Sequence, residues 1–111
     1  MKEIKSQRVA LVVDDDIEIL GLLSSLLIGE KVKSLCAKSA EQAIEILKSS
    51  KYLDLLIVDY FLPGKNGAKI IEFAKGLKPN LPIIAISGSP EEAGLPSLMA
   101  GAIFVLRKPF D

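Results

Sequence analysis

Leu55-Leu56-Ile57-Val58 runs without a polar interruption straight into a carboxylate, Asp59. The run has the length of a strand, lacks the alternation of a strand with one wet face, and is bounded downstream by Pro63-Gly64 and Asn66-Gly67. It predicts a strand buried on both faces, as in the middle of a parallel sheet. The pattern recurs. Val9-Ala10-Leu11-Val12-Val13 runs into Asp14-Asp15-Asp16, Ile83-Ile84-Ala85-Ile86 closes on Ser87-Gly88, and Ala102 to Leu106 leads into Arg107-Lys108. Val32 to Ala37 alternates weakly and reads as a strand nearer an edge.

Between these runs the apolar spacing becomes helical. Ile17, Leu20, Leu23, Ser24 and Leu27 predict a helix over 16–28, with Asp16 at the end where the helix dipole favours a negative charge. Ser39 and Gln42 have the spacing of a capping box ahead of Ala43, Ile44, Ile46 and Leu47. Ala68 to Leu77 forms a third helix, stopped by Pro79-Asn80-Leu81-Pro82. Ser89-Pro90-Glu91-Glu92 begins a fourth with a capping serine, a proline at the first position and a glutamate at the third. Gly94 and Pro96 then predict that this helix is short or kinked. Five strands alternating with four helices indicate an α/β fold, a doubly wound parallel sheet with helices on both faces.

Composition narrows the function. At 111 residues the chain, 1–111, is expected to be one domain with a single core. Met1 to Gln7 is a polar lead-in. Basic and acidic residues number 14 each, so no general attraction draws the chain to nucleic acid or an anionic membrane. No run is long enough to cross a membrane or to form the core of a signal peptide. Cys36 is the only cysteine, which fits a reducing cytoplasm, and it reads as a small apolar residue in or near a strand. Histidine is absent, which excludes histidine-dependent triads and the usual zinc sites.

The candidate chemistry lies at the strand ends. The first strand ends in Asp14 and Asp15, the third in Asp59, the fourth in Ser87 and the fifth in Lys108. Right-handed crossovers bring all of these to one edge of a parallel sheet. Singly, each has an ordinary explanation: a helix-capping acid cluster, a cap, an exposed lysine before a proline. Together, at the ends of four strands, they do not. Three carboxylates meeting there repel and raise at least one pKa unless a cation neutralises them. Magnesium suits a set of carboxylates and a carbonyl with waters completing the shell. A lysine and a hydroxyl opposite are then free to hold an anion's oxygens, and the set describes phosphoryl transfer onto Asp59.

Val13-Asp14-Asp15, Asp59 with Pro63 and Gly67 downstream, Ser87-Gly88 and Lys108-Pro109-Phe110 resemble the receiver domain of two-component response regulators, over roughly Val9 to Phe110. The resemblance implies a flavodoxin-like sheet of strand order 2-1-3-4-5. It implies that Asp59 accepts a phosphoryl group from a histidine kinase or a phosphotransfer protein. It further implies that Asp14, Asp15, Asp59 and the backbone carbonyl of Phe61 hold Mg2+, that Ser87 and Lys108 bind the phosphoryl oxygens, and that the Lys108–Pro109 peptide is cis. Such a domain is a phosphoacceptor rather than an enzyme, although it catalyses its own phosphorylation and dephosphorylation.

Three departures stand out. Val105 occupies the position, three before the lysine, where the family places an aromatic switch residue, and Phe104 should face the other side of the sheet. Pro96 interrupts helix four. Helix five is absent from the sequence, so the face it would cover is expected to self-associate or to receive a partner helix. An alternative function follows, a receiver-fold scaffold or docking domain that does not signal through phosphorylation. A flavin-binding protein is disfavoured because no Gly/Ser/Thr-rich phosphate loop follows the first strand. An acid-nucleophile phosphatase is disfavoured because Tyr60-Phe61, and no second acid, follows Asp59.

Overall fold

The computed structural model describes residues 7–108. Its elements are β1 (Arg8–Val13), α1 (Ile17–Gly29), β2 (Val32–Ala37), α2 (Ala40–Ser49), β3 (Leu55–Asp59), a 3-10 turn (Pro63–Lys65), α3 (Asn66–Leu77), β4 (Ile83–Ser87), α4 (Pro90–Ala100) and β5 (Phe104–Arg107). The strands form one sheet of order β2-β1-β3-β4-β5, every neighbouring pair parallel. This is the predicted doubly wound, flavodoxin-like order. The Lys108–Pro109 peptide lies outside the described residues. No helix among the described residues is long and apolar enough to cross a membrane.

The unbroken apolar runs of β1, β3 and β4 are buried on both faces, as their lack of alternation requires, whereas the run of β5 is not. Leu11, Val13, Leu56, Val58, Ile83 and Ala85 face the larger core cluster with Ala43 and Leu47 of α2 and Ile70, Ile71 and Ala74 of α3. Their strand neighbours Val12, Ile57 and Ile86 face the other way, against Leu20 and Leu23 of α1. The α1 face is the thinner layer. On β5 the two faces differ most: Val105 packs against the larger cluster, whereas Phe104 is 62% and Leu106 44% exposed. Phe104 therefore does not take the place of Val105, as the alternation predicts.

Local chemistry explains the helix starts, with one correction. Asp16 caps α1 by accepting from the Glu18 N–H at 2.9 Å. Ser39 caps α2 through the Gln42 N–H at 3.2 Å, and Gln42 reaches back to the Lys38 N–H at 2.7 Å. Ser89 does not cap α4 through its side chain. Its backbone (φ −130°, ψ 68°) departs from the extended form a capping serine adopts, and its own N–H is drawn to the Ser87 hydroxyl at 2.8 Å. Nor is α4 cut short. It runs eleven residues through Pro96, one more than α2, and the proline's effect is to remove the N–H that would have bonded the Glu92 carbonyl.

Gly67 is where the loop after β3 meets α3. A Cβ at this position would collide with the backbone carbonyls of Asp59 and Tyr60. Gly76, in the same helix, has nothing within 4 Å of a notional Cβ. The two substitutions to alanine should thus have opposite signs. Gly67→Ala should destabilise by about 2 kcal/mol or more through overpacking against backbone. Gly76→Ala should stabilise by roughly 0.5–1 kcal/mol through helix propensity. Urea denaturation of both variants beside the wild type measures this, and equal signs would refute the packing argument.

Candidate functional site

Register brings the strand ends together. Val13 lies opposite Val58, so Asp14 and Asp59, one residue further on, are neighbours across the β1–β3 pair. Asp59 lies opposite Ile86 and Ser87 opposite Arg107, which places Ser87 and Lys108 along the same edge. Backbone bonds continue past the ladder: Tyr60 N–H donates to Ile86 O at 3.0 Å and Lys108 N–H to Ser87 O at 2.8 Å.

Asp14 and Ser87 are fully buried and Asp59 is 5% exposed, whereas Asp15 is exposed. One oxygen from each of Asp14, Asp15 and Asp59 falls within 4.8 Å of the others. Lys108 Nζ sits between two of these carboxylates, 2.7 Å from Asp14 Oδ2 and 3.1 Å from Asp59 Oδ2. Each carboxylate is further anchored by a backbone N–H two residues on, Asp14 Oδ1 by Asp16 at 2.9 Å and Asp59 Oδ1 by Phe61 at 3.1 Å. Asp14 Oδ2 has its charge partner in Lys108 but no well-formed hydrogen bond.

The electrostatics follow from this crowding. Burial pushes the Asp14 carboxyl above its ordinary value, and the nearby charge of Asp59 adds to the rise, against the opposing pull of Lys108 and the Asp16 N–H. The expected carboxylate repulsion is present but secondary to burial. Burial alone would lower the Lys108 ammonium, yet Asp14 and Asp59 outweigh it and hold its pKa above the usual lysine value. The donor set is all oxygen, with one carboxylate oxygen from each of three acids within 4.8 Å of the others, an arrangement that fits a hard divalent cation.

The model of the response regulator receiver domain matches residues 10–111. The chain belongs to the response regulator receiver domain family. It is 36% identical over 104 residues to the transcriptional regulatory protein CpxR of Escherichia coli K12, covering 91% of this chain and 43% of that protein. The chain spans less than half the length of curated relatives such as this one. Among solved structures it resembles a CheY-like receiver domain protein from Methanospirillum hungatei (TM-score 0.87, 29% identity, 96% of this chain and 85% of that one). It also resembles the response regulator TrrA of Thermotoga maritima in complex with Mg2+-BeF (TM-score 0.83, 28% identity, 95% and 90%).

In this receiver domain, four of the residues singled out in the sequence, Asp14, Asp15, Asp59 and Lys108, form one cluster. Ser87 lies beside it, but its hydroxyl is engaged by the Ser89 N–H rather than by an acid or the lysine. Phe61 joins through its N–H, and its ring packs edge-on against Tyr60 at 5.0 Å. Sequence reasoning missed the two backbone donors at Asp16 and Phe61. The signal was available, because an Asp commonly bonds the backbone N–H two residues on.

A pH dependence follows. Because the folded-state pKa of Asp14 is raised above 3.8, the folded protein holds a proton there that the unfolded chain has already released. Its contribution to stability is therefore full below 3.8 and is lost as pH rises through the folded pKa. Asp14→Asn should remove this slope and should make the metal-free protein more stable at neutral pH. Thermal unfolding at a series of pH values measures it, and a wild-type minus variant difference that is flat with pH would overturn the assignment.

Proposed function

We propose that residues 1–111 are a single phosphoacceptor receiver module of a two-component phosphorelay, phosphorylated on Asp59 by a histidine kinase or a phosphotransfer protein. The observation that carries the reading is the bridge from Lys108 to both Asp14 and Asp59, beside the exposed Asp15. Asp14, Asp15, Asp59 and the Phe61 carbonyl would hold Mg2+, as the Mg2+-BeF complex of TrrA supports. The ion would offset the charge of the carboxylates and of the incoming phosphoryl group. The Asp59 carboxylate attacks phosphorus, the P–N bond of a phosphohistidine breaks, and the leaving imidazole retains the bond's electron pair. Lys108 is already within reach of Asp59 and would move onto a phosphoryl oxygen. The Ser87 hydroxyl would leave the Ser89 N–H to bind another.

The module would be cytoplasmic, would catalyse only its own phosphorylation and dephosphorylation, and would contact neither nucleic acid nor membrane itself. Incubation with a small phosphodonor and Mg2+ should add one phosphoryl group, and Asp59→Asn should abolish the labelling. Equal labelling of Asp59→Asn and wild type would defeat the reading.

The second reading, a scaffold or docking domain that does not signal by phosphorylation, is favoured by Val105. This small β-branched side chain is half-buried against the larger core, at the position of the family's aromatic switch. Failure of the wild type to bind beryllofluoride with Mg2+ would support this reading over the first.

The face beneath α1 bears on partners. Phe104 and Leu106 are exposed there, next to half-buried Ile84. An uncovered apolar strip of this kind favours association. The 111-residue chain should therefore self-associate or take up a partner helix on that face. Its mass by light scattering should rise with concentration, and Phe104→Ser together with Leu106→Ser should reduce the rise. A monomer mass independent of dilution, with no binding of a dye for apolar surface, would sink the idea.

A further inference from the structure

Helix α1 is apolar around more of its circumference than a helix with one face in water requires. From Ile19 to Gly29 it carries eleven residues without a charge, seven of them Leu or Ile. By contrast α2, on the opposite face of the sheet, exposes Glu41, Glu45 and Lys48. A helix apolar all round belongs between two layers. One flank of α1 is fixed by β2. The Ser24 hydroxyl is hydrogen-bonded to the Ser34 hydroxyl and the Cys36 thiol, and Ile28 lines a cavity with Val32 and Ser34. At 3.6 residues per turn, Ile19 and Leu26 fall on the other flank, towards β4 and β5. Leu26 is 53% exposed, and beyond it lies the strip floored by Ile84, Phe104 and Leu106. The unpartnered helix face and the unpartnered strip are therefore neighbours.

We propose that two copies of this chain pair face to face, the α1 of each lying on the β4–β5 strip of the other. The pairing rests on the apolar strip described above and gives it an occupant. Its two-fold axis runs between the helices and along them, so that α1 and its counterpart lie side by side in one layer between two sheets. The dimensions agree. Two strands span about 10 Å and a helix with its side chains about 10–12 Å, so one helix fills the strip. A helix from another protein laid on the strip would leave the outer face of α1 in water, whereas the reciprocal contact buries both surfaces together. With a formal net charge of zero, two copies do not repel as wholes. Glu18, the charged residue of α1, sits in the first turn, at the end of the contact rather than within it. A helix of 13 residues is about 20 Å long, so helix and strip cover on the order of 400 Å² in projection on each copy. Accessible surface exceeds projection, which puts the contact between an incidental one and a standard interface of about 800 Å² per partner. The dimer should then be weak and governed by concentration.

The test uses the 111-residue chain. In a Cys36→Ser background, Leu26→Cys puts a thiol beside the two-fold axis, facing its counterpart, and Ile28→Cys puts one on the β2 flank. Paired thiols meet at an effective concentration of about millimolar, against micromolar for free collision. Mild oxidation should therefore link Leu26→Cys chains into dimers at least about ten times faster than Ile28→Cys chains. Adding Phe104→Ser and Leu106→Ser to the Leu26→Cys chain should cancel that advantage, because the strip that holds the helix is gone. In light scattering the wild-type mass should level off at twice the monomer's. Leu26→Lys should weaken association about a hundredfold, since a symmetric contact loses the same apolar residue twice. Equal linking of the two cysteine variants, or fast linking through Leu26→Cys that survives the serine changes, would overturn the proposal. A mass that rises with concentration and falls with the serine changes, without preferred linking through Leu26→Cys, upholds the apolar strip and removes α1 as its occupant. A mass that never rises removes both.

Discussion

Two carboxylates, Asp14 and Asp59, are buried side by side at the carboxyl edge of the sheet, with one ammonium, Lys108, between them. Removing either charge from water is costly, and a single cation shared by two anions offsets that cost incompletely. The raised pKa of Asp14 is the visible remainder. The arrangement ties together elements far apart in the chain, since β1 and β3 bring the acids and β5 brings the lysine. A slip of one residue in any of these strands would turn its apolar set to the wrong face and carry the charged residue away from its partners. The sheet's register and the site's geometry are thus one constraint, satisfied by the same backbone pairing.

Most of this was legible because the signals are local. An apolar run that stops at a polar residue marks both a buried strand and its end, and parallel topology supplies the meeting of those ends. What escaped the sequence were effects set by neighbours distant in the chain. Repulsion among acids was foreseeable from composition, but burial proved the larger cause at Asp14, and burial depends on what β2 and Lys108 place around it. Ser89 has the sequence of a cap, yet Ser87 claims its N–H. The last strand begins at Phe104 rather than Ala102, and α3 begins at Asn66, after a 3-10 turn that contains Gly64 at φ 74°. Propensity sets where an element is possible, and tertiary contacts set its last residue.

The family's usual aromatic position shows where local reading and tertiary structure agree. Alternation alone separates Val105 from Phe104, and the structure packs one, half-buried, against the larger core and leaves the other exposed. Neither can act as the family's aromatic switch, since Val105 has no ring and Phe104 is on the wrong face. A signal that starts at Asp59, as proposed, must therefore travel by other means.

Ser87 offers one. Its carbonyl accepts from the Lys108 N–H, and its hydroxyl accepts from the Ser89 N–H. The first bond belongs to the edge of the β4–β5 pairing and is sustained by the ladder around it. The second is a side-chain bond to Ser89, the residue at the head of α4, whose own side chain makes no cap. If the hydroxyl turns toward a new oxygen while the strands stay paired, only the second bond is lost. The change is then delivered to α4 and not to β5, by a residue whose backbone need not move.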